Sequence, residues 1–337
     1  MVLNTVTRRT VVAGAIALLG LAALPSFVAA QDKVAVRNAF DWIPSEQYAG
    51  YYKAMESGGF AAKNLDVTST SGGPNSPSPF VLLAGGQTDI AYGTWLSALD
   101  AIGKGNEFVI VAASFPQSPG GIISLPAKPI KTAADINGKR MMIQDPSLSV
   151  IFDGMLAFAG IEPDYEVVPV GFSAEPLLAG DGDGYLAFVT NQPLALEAMG
   201  LVKDKDFVVA SFHDLGYDIP ETLMVVSRSY LEENRAALVD YFEALLRGWN
   251  EHDAAPEEMM KYVVDTFGVD FGYDLETEMK KNAIQTPLTF APNGQRFDIT
   301  DEQIAKMYEL AELTKRTPPP ASEIIDLSLL REAAARL

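Results

Sequence analysis

The chain of 337 residues contains no cysteine and only two histidines. The lack of cysteine excludes disulfide bonds, thiol nucleophiles, thiolate-bound metals and attachment of a lipid to an N-terminal cysteine. His213 and His252 are far apart and do not have the spacing of metal ligands. We therefore expect neither a metal site nor a cofactor, and we interpret both histidines as surface or capping residues.

Positive charge is also scarce. The chain carries 25 lysines and arginines against 44 aspartates and glutamates, which gives a net charge of -19. A protein with this balance repels a phosphate backbone and stays soluble, so we expect no nucleic-acid partner.

A long hydrophobic run occurs near the start, and residues 1–30 predict an export signal. Arg8 and Arg9 precede an apolar run from Val11 to Leu24, and 28–30 is a V-A-A cleavage sequence. A membrane anchor is the competing interpretation, but the proline at position 25 and the cleavage site favour removal. The paired arginines partly match a twin-arginine signal, so the Sec and twin-arginine routes both remain open. We expect a periplasmic protein that begins at Gln31.

After that segment, short strand-like runs alternate with helical runs, which is typical of α/β layers. The chain left after cleavage, about 300 residues, suits two lobes better than a single core. A second, self-similar set of strands and helices begins near Pro126.

Five motifs resemble one family of proteins. They are F-D-W-I-P-S-E-Q-Y-A-G-Y-Y-K-A-M-E-S-G-G-F from Phe40, G-G-P-N at 72–75, G-G-Q-T-D-I-A-Y-G at 85–93, A-A-D-I-N-G-K-R at 133–140 and P-L-T-F-A-P-N-G-Q-R-F-D-I-T from Pro287. In order and spacing they are similar to periplasmic solute-binding proteins of the thiamine-pyrimidine-precursor type, whose wider group includes sulfonate, taurine and nitrate binders.

The resemblance implies an α/β, type II periplasmic-binding fold with a ligand cleft between two lobes. Lobe one would comprise 31–125 and 217–337 with the C-terminal helices, and lobe two 126–216. The chain would cross between the lobes near 124–126 and 217–222. The family also implies a monomer that closes on a small molecule and delivers it to the permease of an ABC importer.

The first loops supply five candidate ligand-binding residues. Trp42 follows a predicted strand, where an aromatic face stacks on a flat ring. Asp41 either accepts ligand N–H groups or caps the turn, and Tyr48 either contacts ligand or packs on the sheet. Tyr92 and Trp95 follow the third strand and form an opposite wall, with the buried core as the competing interpretation.

Backbone donors supply three more candidates. Gly73 and Asn75 belong to a loop with free N–H groups before a helix, which favours polar ligand atoms; the alternative is an ordinary turn. Ser147 stands at a helix start, where it either caps the helix or offers its hydroxyl to the ligand.

Lobe two supplies the last four candidates. Phe172 and Glu175 follow a predicted strand; Glu175 is either the partner of an amino group or a solvated carboxylate. Tyr185 and Asn191 flank the next strand. At Asn191 the chain has N-Q-P-L where the resemblance to pyrimidine binders implies an acidic residue.

These residues predict a receptor for a small, planar N-heterocyclic or aromatic solute. A sulfonate or carboxylate binder is the alternative, but Arg37, Lys53 and Arg140 are the only obvious basic candidates near the cleft. Eukaryotic relatives that make the thiamine pyrimidine use a cysteine-rich motif and a consumed histidine, and this chain has neither near 72–75. We therefore expect no enzyme; a sensor role remains open.

Overall fold

The computed structural model describes residues 33–73 and 76–337. The expected export signal at 1–30 and the candidate Asn75 lie outside the described residues. Among those that are described, no helix combines the length and the apolar character needed to cross a membrane.

Ten strands form two mixed five-stranded sheets in the described part of the chain. The first sheet and the helices that pack on it form lobe one. The spatial order of its strands is β2-β1-β3-β10-β4. β1 runs parallel to β2 and β3, whereas β10 is antiparallel to β3 and β4. Its strands are β1 (Val34–Ala39), β2 (Leu65–Thr70), β3 (Ile90–Gly93), β4 (Phe108–Phe115) and β10 (Glu221–Ser227).

The second sheet, with its helices, is lobe two and repeats the same pattern in the order β7-β6-β8-β5-β9. β6 is parallel to β7 and β8, and β5 is antiparallel to β8 and β9. Its strands are β5 (Gly120–Ser124), β6 (Arg140–Ile143), β7 (Glu166–Pro169), β8 (Gly184–Phe188) and β9 (Val208–Ser211).

The chain crosses from lobe one to lobe two at 116–119, because β4 ends at Phe115 and β5 begins at Gly120. The 120–124 run, predicted to lie in lobe one, instead forms β5 and pairs with β8 and β9 of the second sheet. An apolar strand run reads the same in either sheet, and only its partners decide its place. The chain returns between Ser211 and Glu221, and Glu221 pairs with Phe115 beside the outgoing segment.

The helices cover the faces of both sheets. They are α1 (Ala49–Glu56), α2 (Gly59–Ala62), α3 (Pro79–Ala84), α4 (Trp95–Gly103), α5 (Ser149–Phe158), α6 (Glu175–Ala179), α7 (Gln192–Ala198), α8 (Arg228–Ala254), α9 (Pro256–Phe271), α10 (Leu275–Leu288), α11 (Asp301–Leu313), α12 (Ala321–Ile324) and α13 (Ser328–Ala334). Short 3-10 turns occupy Glu46–Tyr48, Ala133–Ile136 and Pro146–Leu148.

The long helix α8 illustrates why the sequence folds this way. Leu238, Phe242, Leu245 and Trp249 recur every three or four residues and are all buried, so one face of the helix packs on lobe one. Ser227 begins the helix by accepting a hydrogen bond from the N–H of Tyr230.

The buried interior contains polar groups as well as apolar ones. His252, expected at the surface or at a helix end, is fully buried, and its Nε2 lies 2.8 Å from Asn282 Oδ1. That expectation was wrong because α8 turns this position onto the Trp249 side of the core, where the two rings meet edge to face. His213 is exposed.

Candidate functional site

A cavity of about 140 Å³ lies between the two sheets. Its walls come from the carboxyl ends of β1, β3, β6 and β8 and from the start of β10. Loops at the carboxyl ends of strands are where open α/β sheets bind ligands. An engineered apolar cavity of about 150 Å³ holds one benzene molecule, so this volume fits a single six-membered ring.

The turn after β1 carries Asp41 and Trp42 into this cavity, and Tyr48 holds the turn in place. The Tyr48 hydroxyl donates to Asp41 Oδ1 at 3.1 Å and accepts from the Trp42 N–H at 3.2 Å. Gln47 Nε2 also donates to it at 3.3 Å. Tyr48 is buried, stacks on Phe40 at 3.9 Å and does not line the cavity, which fits the packing interpretation.

Trp42 is the aromatic wall of lobe one. Its ring lies 6.1 Å from that of Phe188 in lobe two at an interplanar angle of 30°, and it meets Phe172 edge to face at 5.4 Å. Both Trp42 and Phe188 line the cavity, whereas Phe172 stands at its edge with 39% of its surface exposed.

Asp41 is part of a hydrogen-bonded network. Besides the contact with Tyr48, Oδ1 accepts from Gln47 Nε2 at 3.5 Å and Oδ2 accepts from Thr222 Oγ1 at 3.0 Å. Burial raises the pKa of Asp41 above its ordinary value, although these three hydrogen bonds act in the opposite direction. Asp41 thus lines the cavity and stabilises the turn, and its predicted contact with ligand N–H groups stays a prediction.

Thr222 is held in an unusual conformation beside Asp41. Its φ is +53°, a left-handed backbone that a β-branched residue rarely adopts and that costs about 1–3 kcal/mol. The residue is buried and lines the cavity. The strained backbone directs the Thr222 hydroxyl to Asp41 and leaves the preceding residue, Glu221, at the cavity wall.

Glu221 was not predicted from the sequence. Only 4% of its surface is exposed, and its Oε1 has no hydrogen-bond partner among the described residues. Burial, and then the neighbouring Asp41, raises the pKa of Glu221 to about 8. The available signal was a lone charged residue at the head of the apolar strand run T-L-M-V-V.

The loop before α3 approaches the turn closely because it begins with two glycines. The Gly72 N–H donates to the Trp42 carbonyl at 2.9 Å, and a Cβ on Gly72 would lie 2.5 Å from the Phe40 carbonyl oxygen. Gly73 has φ +123° and lines the cavity. The predicted position of Gly73 beside a ligand therefore remains a prediction that the geometry permits.

Tyr92 and Trp95 differ in what they contribute. Tyr92 lines the cavity, but its hydroxyl is used in the core, 3.3 Å from that of Tyr241. Trp95 is buried away from the cavity, and its Nε1 donates to the Met307 carbonyl at 2.6 Å. The core interpretation fits Trp95, because α4 turns its first residue toward α11.

The residues of lobe two that line the cavity differ from the candidates predicted from the sequence. Tyr185 is fully buried and donates to the carbonyls of Gly171 and Phe172, at 3.0 and 2.8 Å. Burial raises its pKa to about 12, so the hydroxyl stays protonated and anchors the Phe172 loop. Glu175 is exposed and accepts from Ser173 Oγ at 3.1 Å.

Asn191 and Ser147 are the remaining candidates in lobe two. Asn191 precedes α7 and does not line the cavity, whereas the next residue, Gln192, does. Gln192 is buried, and its Oε1 accepts from the N–H of Phe188 at 2.9 Å, which fixes the aromatic wall. Ser147 belongs to the turn Pro146–Leu148. Leu148 of this turn and Asp145, which precedes it, line the cavity.

The electrostatic character of the cavity is acidic. Asp41, Asp145 and Glu221 line it, and no lysine, arginine or histidine does so among the described residues. The basic residues that the sequence suggested form ion pairs elsewhere, Arg37 with Asp89, Lys53 with Glu258 and Arg140 with Asp183. The described residues also contain no cluster of acidic and histidine side chains that could hold a metal ion.

A family model described as NMT1/THI5 like matches residues 45–259, which include most of the cavity wall. The chain belongs to the NMT1/THI5-like family. The resemblance seen in the sequence motifs is thereby confirmed.

Relatives of this NMT1/THI5-like protein agree with the fold. The formylaminopyrimidine-binding protein of Halalkalibacterium halodurans is 25% identical over 293 residues, 83% of this chain and 86% of the relative. A solved structure from Bordetella bronchiseptica has a TM-score of 0.69 at 18% identity and covers 90% of this chain and 98% of its own. The periplasmic aliphatic sulphonate binding protein of Escherichia coli has a TM-score of 0.62 at 16% identity, with coverages of 84% and 92%. The two-lobe periplasmic-binding fold is thus confirmed.

Proposed function

We propose that this protein is the solute-binding component of an ABC importer and that it captures a small, flat nitrogen heterocycle between its lobes. The observation that carries the proposal is the pair formed by Trp42 and Phe188, one from each lobe, across the cavity. A ring between them needs about 3.5 Å on each side, or about 7 Å in all. The present 6.1 Å separation is slightly shorter, so the lobes open a little to admit the ring and then close on it.

The size of the cavity supports a monocyclic ligand. A volume of about 140 Å³ fits one six-membered ring with small substituents and is too small for a fused tricyclic ring system. The relative from Halalkalibacterium halodurans is named for a formylaminopyrimidine, which is a monocyclic heterocycle of this size.

Charge supports a ligand with N–H donors. Asp41, Asp145 and Glu221 line the cavity, and no basic side chain among the described residues is there to balance an anion. A carboxylate or sulfonate would find no basic side chain among the described cavity residues to balance its charge, and an unbalanced charge in a partly buried site costs free energy.

A sulfonate binder is the second candidate, and one observation favours it. Thr94 and Ser97 at the start of α4 line the cavity, and a helix N-terminus attracts an anion. The two hydroxyls are already bonded to each other at 2.9 Å, however, and the acidic side chains outweigh this helix end.

A thermal-shift panel with the purified protein distinguishes the two. We expect stabilisation by 4-aminopyrimidine and its hydroxymethyl and formylamino derivatives, and none by taurine or alkanesulfonates. A ligand at about 100 times its Kd adds about 2.7 kcal/mol of stability, a shift of a few degrees for a chain of this size. Stabilisation by sulfonates alone would overturn the proposal.

Replacement of Trp42 tests the stacking itself. Trp42→Ala removes the wall and should weaken binding at least about tenfold, whereas Trp42→Phe keeps a ring and should retain most of the affinity. Equal affinity of Trp42→Ala and the wild-type protein would refute stacking.

The location and partners follow from the same proposal. Residues 1–30 are removed on export, the protein is a periplasmic monomer with lobe two near 120–211, and the permease of the importer receives the solute. Cleavage of residues 1–30 would leave Gln31 as the first residue. The mass of the protein isolated from a periplasmic fraction tests this. A permease and an ATPase encoded beside the gene would favour transport over sensing, and we expect no catalytic turnover of the bound ring.

A further inference from the structure

Two carboxyl groups of lobe one face the same cavity, but their hydrogen bonding differs. Both oxygens of Asp41 already accept protein hydrogen bonds, from Tyr48, Gln47 and Thr222. Oε1 of Glu221 accepts none from the described residues, although only 4% of the surface of Glu221 is exposed. A buried oxygen left without a partner is costly, so a ligand that enters the cavity and donates a hydrogen bond to this carboxyl would recover that cost.

The position of Glu221 is fixed rather than adjustable. It is the first residue of β10 and pairs with Phe115 where the two crossing segments meet. Thr222, directly after it, is locked in a left-handed conformation by its hydrogen bond to Asp41. A carboxyl held in this way recognises one edge of a ring with a defined geometry.

We propose that Glu221 is a ligand-binding residue that selects rings in which an amino group is adjacent to a basic ring nitrogen. One carboxyl oxygen of Glu221 accepts the amino N–H, and the other shares a proton with the ring nitrogen, so two parallel hydrogen bonds form. The proton moves along one hydrogen bond between oxygen and nitrogen, and no other bond changes. This inference rests on the proposed function and names the chemical class within it.

The groups that face Glu221 are consistent with a shared proton. Asp41 lies on the neighbouring turn, Asp145 lines the same cavity from lobe two, and Tyr217 lies in the returning segment. Burial raises the pKa of Tyr217 well above its ordinary value, so this hydroxyl remains neutral. Burial, and then the neighbouring Asp41, raises the pKa of Glu221, so its carboxyl holds a proton that it can share with a ring nitrogen.

Calorimetric titration with two probes tests the assignment. In 4-aminopyrimidine the amino group is adjacent to a ring nitrogen, whereas aniline has the amino group without the nitrogen. The wild-type protein should prefer 4-aminopyrimidine by at least about tenfold, because a site built for a hydrogen bond rejects a ligand that lacks it. Glu221→Met, of similar length, should lose this preference, and the exposed control Glu175→Gln should keep it.

Glu221→Gln is the second variant. It keeps the size and shape of the side chain but removes its titratable proton. The amide offers one donor and one acceptor, so the preference should survive. Wild-type affinity should fall up to about tenfold per pH unit above about pH 8, where Glu221 loses its proton, and Glu221→Gln should show no such fall.

The outcomes separate this inference from the proposed function. If Glu221→Met keeps the wild-type preference, or if Glu221→Gln keeps the same fall in affinity, Glu221 is not the selecting residue. If the wild-type protein binds both rings equally and Trp42→Ala binds neither, stacking stands and the Glu221 assignment falls. If the wild-type protein binds no flat ring, both fall.

Discussion

The hydroxyl of Tyr48 should contribute about 2–3 kcal/mol to the stability of this protein although Tyr48 does not line the cavity. Tyr48→Phe removes that one atom and keeps the ring, which stacks on Phe40 at 3.9 Å. Three hydrogen bonds disappear, to Asp41 at 3.1 Å, from the Trp42 N–H at 3.2 Å and from Gln47 at 3.3 Å. At about 1 kcal/mol each, the loss in unfolding free energy should be about 2–3 kcal/mol.

The same change should weaken binding through Trp42. Without its bond to Tyr48, the Trp42 turn must be ordered by the ligand, and immobilising one such side chain costs about 0.5–1.5 kcal/mol. Affinity for a flat heterocycle should therefore fall by a factor of up to about ten. The assays are urea unfolding and calorimetric titration of the same preparation.

Tyr51→Phe is the matched control, because Tyr51 lies three positions further along the chain and its buried hydroxyl makes none of the hydrogen bonds that hold the Trp42 turn. Its removal should be neutral or slightly stabilising. Equal unfolding free energies for Tyr48→Phe, Tyr51→Phe and the wild-type protein would refute the claim that Tyr48 holds the turn.

Three further variants test other parts of the site. The pKa of Glu221 is raised from 4.5 to about 8, so its contribution to stability is fully present below pH 4.5 and is lost as the pH rises to about 8. Between pH 4.5 and about 8, the unfolding free energy of Glu221→Gln should therefore rise relative to that of the wild-type protein by up to about 1.4 kcal/mol per pH unit, as measured by urea unfolding. The same pH dependence of unfolding free energy in both proteins would contradict this. Thr222→Val should lose about 1–3 kcal/mol in urea unfolding, because Asp41 loses its donor, and Thr222→Ser should not. Gly73→Ala should cost about 1–3 kcal/mol at φ +123° and weaken binding, whereas Gly86→Ala, with φ +66° and open space around it, should cost about 1 kcal/mol and leave affinity unchanged.

Much of the fold could be predicted because local pattern determines it. The strand runs at 34–39, 65–70 and 108–115 and the apolar stripe of α8 are visible in the sequence, and their periodicity is what the lobes bury. The sheet that takes up β5 could not be predicted, since G-G-I-I-S fits either sheet and pairing is decided by tertiary contacts.

The site was predictable where a motif marked it and not where pairing placed it. Asp41, Trp42, Gly73 and Tyr92 lie in the family motifs and line the cavity. Phe188 and Glu221 are brought to the cavity by the end of β8 and the start of β10, which are distant in sequence from those motifs.

Trp95 and Tyr185 show why residue type is a weak signal for a site. Trp95 follows β3 and Tyr185 lies within β8, yet each ring is buried and its polar atom bonds a carbonyl of the protein itself. Tyrosine and tryptophan serve a core and a binding site equally well, so residue type alone could not separate the two.

A crystal structure of the complex with 4-aminopyrimidine tests the central claim most directly. The account predicts the ring between Trp42 and Phe188, with their centroids moved apart from 6.1 Å to about 7 Å or more and the amino edge directed to Glu221. A ring bound elsewhere, or a Trp42–Phe188 contact that stays unchanged beside it, would contradict the account.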